Sequence, residues 1–174
     1  MENNSDFSGS AHQAEIIFDD VPGKNTHFGS NKDEVYSIKD TIQHRKFHTS
    51  SIVYRKKIWD DVGGIPPGIS SNERAIYPMI AIFGKIKYFK ESMCIYRRST
   101  IGLSSRISAA ELETDIAMIP WLKRIDHKFP YFQFRSFLHL CSFSYPAQVP
   151  YNLLLKHFFL FVFYSFSYFP NNLG

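Results

Sequence analysis

The stretch "SSNERAIYPMIAIFGKIKYF", residues 70–89, constrains the fold more than any other part of the chain. Ile76, Met79, Ile80 and Phe83 fall at i, i+3, i+4 and i+7, which lays one apolar stripe along a helix. Ser70 or Ser71 offers the amino-terminal cap and Gly84 the stop. Pro78 lacks a backbone donor, so a kink or a late start is expected there. Beyond Gly84 the period changes, and "KIKYF" and "MCIYR" read as two strands of a hairpin around the turn "KES".

The flanking segments follow the same logic. Ile16 to Phe18 reads as a strand closed by Asp19 and Asp20, and residues 23–34 read as a polar loop. Ser37 caps a short helix carrying Ile38 and Ile42, Ser50 to Arg55 reads as a strand, and "DDVGGIPPGISS" reads as loop. From Ser108, where "SAAE" makes a capping box, the chain reads as helical, through Leu112, Ile116 and Ile119 to a break at Pro120.

Composition then excludes classes of function. With 44% hydrophobic and 17% aromatic residues in 174, the chain buries a core of about one domain. The net charge of +4 is spread over small groups such as Arg45 with Lys46, so no nucleic acid partner is expected. Cys94 and Cys141 stand in apolar company, as reduced, buried cysteines do, and "MENNSDFSGSAHQ" is no secretory signal, which together imply a cytoplasmic setting. "NLLLKHFFLFVFYSFSYF", residues 152–169, is too interrupted by Lys156 and His157 for a membrane span. It fits either a buried terminal helix or one lying at a membrane interface, the latter making the protein membrane-peripheral.

Several residue groups bear on chemistry. Glu73, in the first helical turn, has its ordinary explanation in the helix dipole, and its functional alternative is service as a general base at a loop-to-helix junction. Asp19 and Asp20 offer hard oxygen ligands but are an ordinary strand-end pair, and His44 with His48 lacks the partners a zinc site needs. Arg97 and Arg98 in "YRRS" suit either a phosphate or solvent.

The series "FHTSSIVYRK" and "NERAIYPMIAIFGKIKYFKESMCIYRRSTIGLSS" resembles the second half of the catalytic domain of family 2 glycosyltransferases, which have the GT-A fold and use nucleotide-sugar donors. That half shows a strand like TSSxxFR, an acidic pair, an apolar helix ending in GKI, and a strand ending in YRxH. "MENNSDFSGSAHQAEII" is similar to the segment that follows the family's metal-binding acidic motif. The resemblance covers residues 1–105 and implies an α/β, partial GT-A-like domain, amino-terminally truncated, with a helical extension over 106–174. Aligned on GKI, Glu73 falls on the family's catalytic aspartate and Asn72 on the residue before it, while Ser99 replaces the histidine of YRxH. The resemblance therefore implies Glu73 as the base of an inverting transfer and Asn72, Arg97, Arg98 and Ser99 as substrate-binding. It also implies a divalent cation, Mg or Mn, in the complete enzyme. Its ligands are not identifiable in this chain, because Asp19 and Asp20 come after the segment that should follow the metal motif. Partners implied are a nucleotide-sugar and an acceptor saccharide. The contrasting expectation is a catalytically silent module that its aromatic tail holds to a membrane surface or a partner glycosyltransferase.

Overall fold

The computed structural model describes residues 4–21, 23–43, 45–69, 72–100, 115–141 and 151–166, the side chains of Asn72, Glu73 and Tyr151 excepted. The fold is mixed α/β and divides into two compact units, residues 1–64 with 76–106 and residues 65–75 with 107–174.

The first unit is organised by one long strand, β1 (Phe7–Phe18), in a five-stranded sheet. One side of β1 pairs in parallel along its whole length with β5 (Lys85–Arg98). Its other side is divided between two short antiparallel strands. β4 (Val53–Tyr54) lies along Gly9 and Ser10, and β2 (Asn25–Phe28) lies along Ala14 to Ile17. β3 (Glu34–Tyr36) covers the start of β5, opposite Ile86 to Tyr88. Burial along β1 follows a period of two through Gly9 and Ala11, slips by one residue where the pairing with β5 is irregular at His12 and Gln13, and resumes at Ala14 and Ile16, so that one face stays packed.

The sheet corrects four expectations. The "KES" segment is no hairpin turn: β5 runs through it, and the pairing jumps from His12 with Phe89 to Gln13 with Ser92 and then Ala14 with Cys94. Bulges absorb the polar residues that resemble a turn, and the Lys90 N–H donates to the Asp33 carboxylate at 3.0 Å. The polar loop over 23–34 contains β2, which β1 recruits by backbone pairing despite its exposed side chains. The strand expected from Ser50 to Arg55 shrinks to β4, because His48 caps a 3-10 turn at Thr49–Ser51. "DDV" is helical, ending α2 (Lys56–Val62), whose Lys56–Asp60 and Lys57–Asp61 pairs stand one turn apart and which stops where Gly63 takes φ 75°.

Elsewhere local signals hold. Ser37 caps α1 (Ile38–Thr41) in a reciprocal box with Asp40. Burial works against the Asp40 charge, yet the Ser37 hydroxyl and N–H donate to its Oδ2 at 2.6 and 2.8 Å and hold its carboxyl below the usual range. α3 (Asn72–Ile82) runs unbroken through Pro78, with Met79 and Ile80 fully buried and Phe83 left exposed past its end. Gly84 follows at φ 158°, where a Cβ would lie 2.9 Å from the Asp6 carbonyl, so the chain enters β5 where no larger residue fits. Within this unit Tyr77 donates to the Phe47 carbonyl at 3.0 Å, and Tyr36 stacks on Phe47.

The second unit holds the carboxy-terminal helices. The box at Ser108 to Glu111, with Leu112, lies outside the described residues. Beyond it come a 3-10 turn at Asp115–Ala117, α4 (Met118–Ile125), α5 (Tyr131–Cys141) and α6 (Tyr151–Phe166). Pro120 stands within the first turn of α4, where its missing N–H costs nothing, so it divides no helix. Cys94 and Cys141 form no disulfide, and both are half-buried rather than buried.

Candidate active site

α3 begins at Asn72, so Asn72 and Glu73 occupy its first turn. The next residue fixes that turn. The Arg74 guanidinium, 9% exposed, donates to the fully buried Asp115 carboxylate at 2.6 Å, tying the start of α3 to the 3-10 turn ahead of α4. Both groups lie in the second unit. Removing one partner of such a pair strands a charge in low dielectric, at a typical cost of about 3–5 kcal/mol, so the pair holds the turn firmly once formed. Forty-one positions separate the two residues, and no local pattern joins them. Sequence reasoning missed the pair for that reason.

Arg97, Arg98 and Ser99 stand at the end of β5, in the first unit. Alternation turns the two arginines to opposite faces. Arg97 donates from Nε and Nη2 to Asp19 Oδ1, both at 3.1 Å, while the Arg98 guanidinium lies 5.8 Å from the Phe18 ring centroid. The Asp19 N–H continues the ladder to the Arg98 carbonyl at 3.0 Å, and Asp20 accepts from the Thr100 N–H at 2.8 Å. Ser99 is half-buried just past the strand. The two sets of residues suggested by the sequence thus form two local groups, one on a helical turn and one at a strand end.

The described residues form no divalent-cation site. Among the described residues no three His, Cys, Asp or Glu side chains converge, and the Asp19 carboxylate is engaged by Arg97. His44 lies outside the described residues. His48 turns to its own loop: Nδ1 accepts from the Ser50 N–H at 3.2 Å and meets the Ser50 hydroxyl at 2.8 Å, which puts the ring proton on Nε2. The same ring lies against Tyr96, centroids 3.9 Å apart and planes tilted by 33°, and the Ser50 hydroxyl reaches Cys94 Sγ at 3.5 Å. The only sequence trace of this cluster is the spacing of His48 and Ser50, an ordinary capping pattern.

No family model, no curated protein and no solved structure matches the chain.

Proposed function

We propose that this chain is the acceptor-side, base-carrying half of an inverting glycosyltransferase of the GT-A type that uses nucleotide-sugar donors. The observation that carries the reading is a carboxylate residue, Glu73, in the first turn of α3, on the helix that feeds β5, the strand ending in Tyr96-Arg97-Arg98-Ser99. In this mechanism Glu73 takes the proton of an acceptor hydroxyl as its oxygen attacks the anomeric carbon. The new glycosidic bond forms while the bond to the nucleoside diphosphate breaks, and the electron pair leaves with the diphosphate. A positioned base contributes about a hundredfold to ten-thousandfold in rate. Asn72 would border the acceptor, and Arg98 and Ser99 the donor side. The cation implied for the complete enzyme would be held by residues outside those described, and no step is routed through it.

The test is turnover of the chain joined to a compatible donor-binding half. Glu73→Gln keeps the side-chain shape and loses the proton acceptor, so turnover falls about a hundredfold or more with donor binding unchanged. Glu73→Asp retains partial activity. Full activity in Glu73→Gln would leave Glu73 only its dipole role, with effects of about 1 kcal/mol on stability.

A second reading, a silent module peripheral to a membrane, is favoured by one observation. α6 exposes Phe159, Phe163 and Phe166, and no helix among the described residues is long and apolar enough to cross a membrane.

A further inference from the structure

β2 and β5 finish the sheet of the first unit in different ways. β2 is four residues long, and its Asn25, Thr26 and His27 are exposed and polar, which discourages further pairing along its outer edge. β5 is covered on its outer side by β3 only from Ile86 to Tyr88. Past that point no strand among the described residues lies along that side, although β1 pairs with the other side as far as Arg98. The Asp19 N–H donates to the Arg98 carbonyl at 3.0 Å, so alternation turns the backbone groups of Arg98, Tyr96 and Cys94 to β1 and those of Arg97 and Ile95 to the open edge. The middle of this edge is apolar as well as open: Met93 and Ile95 are each 59% exposed.

An open edge accepts an extended strand, and the order of residues in β5 complements itself. Set antiparallel about Cys94, two copies place Met93 opposite Ile95 and Glu91 opposite Arg97, and symmetry makes each pair twice. The Arg97 side chain is 74% exposed and gives Nε and Nη2 to Asp19, which leaves Nη1 for the carboxylate of the other copy. No other antiparallel register sets Glu91 against Arg97. The one like-charged pair it creates, Lys90 with Arg98, falls at the ends of the paired segment, where solvent screens it. Cys94 then faces its own copy with its backbone groups turned to β1, which is the non-hydrogen-bonded kind of antiparallel pair, with Cα atoms about 4.5 Å apart. A symmetric pairing closes at two copies, whereas a head-to-tail one continues without limit.

We propose that the open edge of β5 binds a second copy of this chain, β5 against β5 in antiparallel about Cys94, so that one sheet continues through two molecules. The contact is one strand wide, which makes the dimer weak and concentration-dependent. The inference stands on the register, exposure and charge order of β5, and nothing in it depends on sugar transfer or on Glu73.

The test is sedimentation velocity of the full chain under reducing conditions, with oxidation by diamide as a second readout. The average mass rises with concentration toward that of a dimer. Diamide, which takes two protons and two electrons from a pair of thiols, links the copies through Cys94. Cys94→Ser removes that link and keeps the non-covalent dimer, and Cys141→Ser keeps both. Ile95→Lys and Glu91→Arg each weaken association about tenfold, since a symmetric pair carries every change twice. Both leave the thermal unfolding midpoint unchanged, because these side chains are exposed. Thr26→Lys, on the outer edge of β2, changes association by less than about twofold. A chain that stays monomeric up to millimolar concentration, a dimer indifferent to both Ile95→Lys and Glu91→Arg, equal weakening by Thr26→Lys, or a link formed through Cys141 alone would overturn the proposal.

Discussion

Two helices of the second unit obey opposite rules. α4 buries Met118, Ile119, Trp121 and Leu122 and turns Lys123 and Arg124 to solvent, as an amphipathic helix should. α6 does the reverse. Its outward face carries Leu155, Phe159, Phe163 and Phe166, the last 69% exposed, while its polar His157 and Ser165 turn toward α5. There His157 Nδ1 meets His139 Nδ1 at 2.9 Å, the Ser165 hydroxyl meets that of Ser136 at 2.8 Å, and Tyr164 stacks on His139 beneath the Arg135 guanidinium. An apolar stripe orients a helix only when a polar face competes with it. Where apolar residues surround the helix, a few polar groups decide, because each costs free energy when buried without a partner and α5 supplies those partners.

The contrast makes Leu122→Ala the most damaging of three substitutions. Leu122 is fully buried in α4, so its truncation should cost about 2–5 kcal/mol in chemical denaturation, and a loss below about 1 kcal/mol would mean that α4 is not packed as described.

The polar seam of α6 predicts an intermediate effect. His157→Phe leaves the buried His139 Nδ1 without its seam partner and should cost about 1–3 kcal/mol, whereas replacing both histidines by phenylalanine should recover most of that loss. Chemical denaturation of the wild type, the single and the double substitution at one neutral pH measures both steps.

The outward face of α6 predicts the smallest effect on stability. Phe159 is 67% exposed, so Phe159→Ser should change unfolding free energy by less than about 0.5 kcal/mol. Under the membrane-peripheral reading it should nevertheless weaken sedimentation with phospholipid vesicles. A loss of 2 kcal/mol or more, flagged by the about 3–5 kcal/mol usual for a buried phenylalanine, would show that the face is covered within the protein. Unchanged sedimentation would count against the membrane.

The same distinction governs how much could be read from the chain. At α1 and α3 the determinants are neighbours: Ser37 with Asp40, and the stripe through Met79 and Ile80 that stops before Gly84. Such contacts span one or two turns, so the sequence displays them. α2 was legible in hindsight, since its lysine–aspartate pairs are four apart and Gly63 follows, but two glycines and two prolines nearby favoured reading a loop. The candidate site was legible only as residue types. That Glu73 begins a helix and that two arginines end a strand follow from the sequence. That Arg97 is held by Asp19, that Arg98 lies near the Phe18 ring, and that Arg74 reaches Asp115 do not.

By itself the sequence determined that an α/β region precedes a helical one, where α1 and α3 lie, and that Glu73 stands in a first turn, because propensity, capping and short-range periodicity act between residues near in the chain. Tertiary structure decided the rest. Pairing with β1 turned "KES" from a turn into bulges within one strand, since backbone groups along β1 gain more from a continuous partner than from a loop. Register with β1 sent Arg97 and Arg98 to opposite faces, and the polar groups of α5 chose which side of α6 to bury. In each case the deciding partner lies far along the chain, and only the folded arrangement brings its hydrogen-bonding groups within reach.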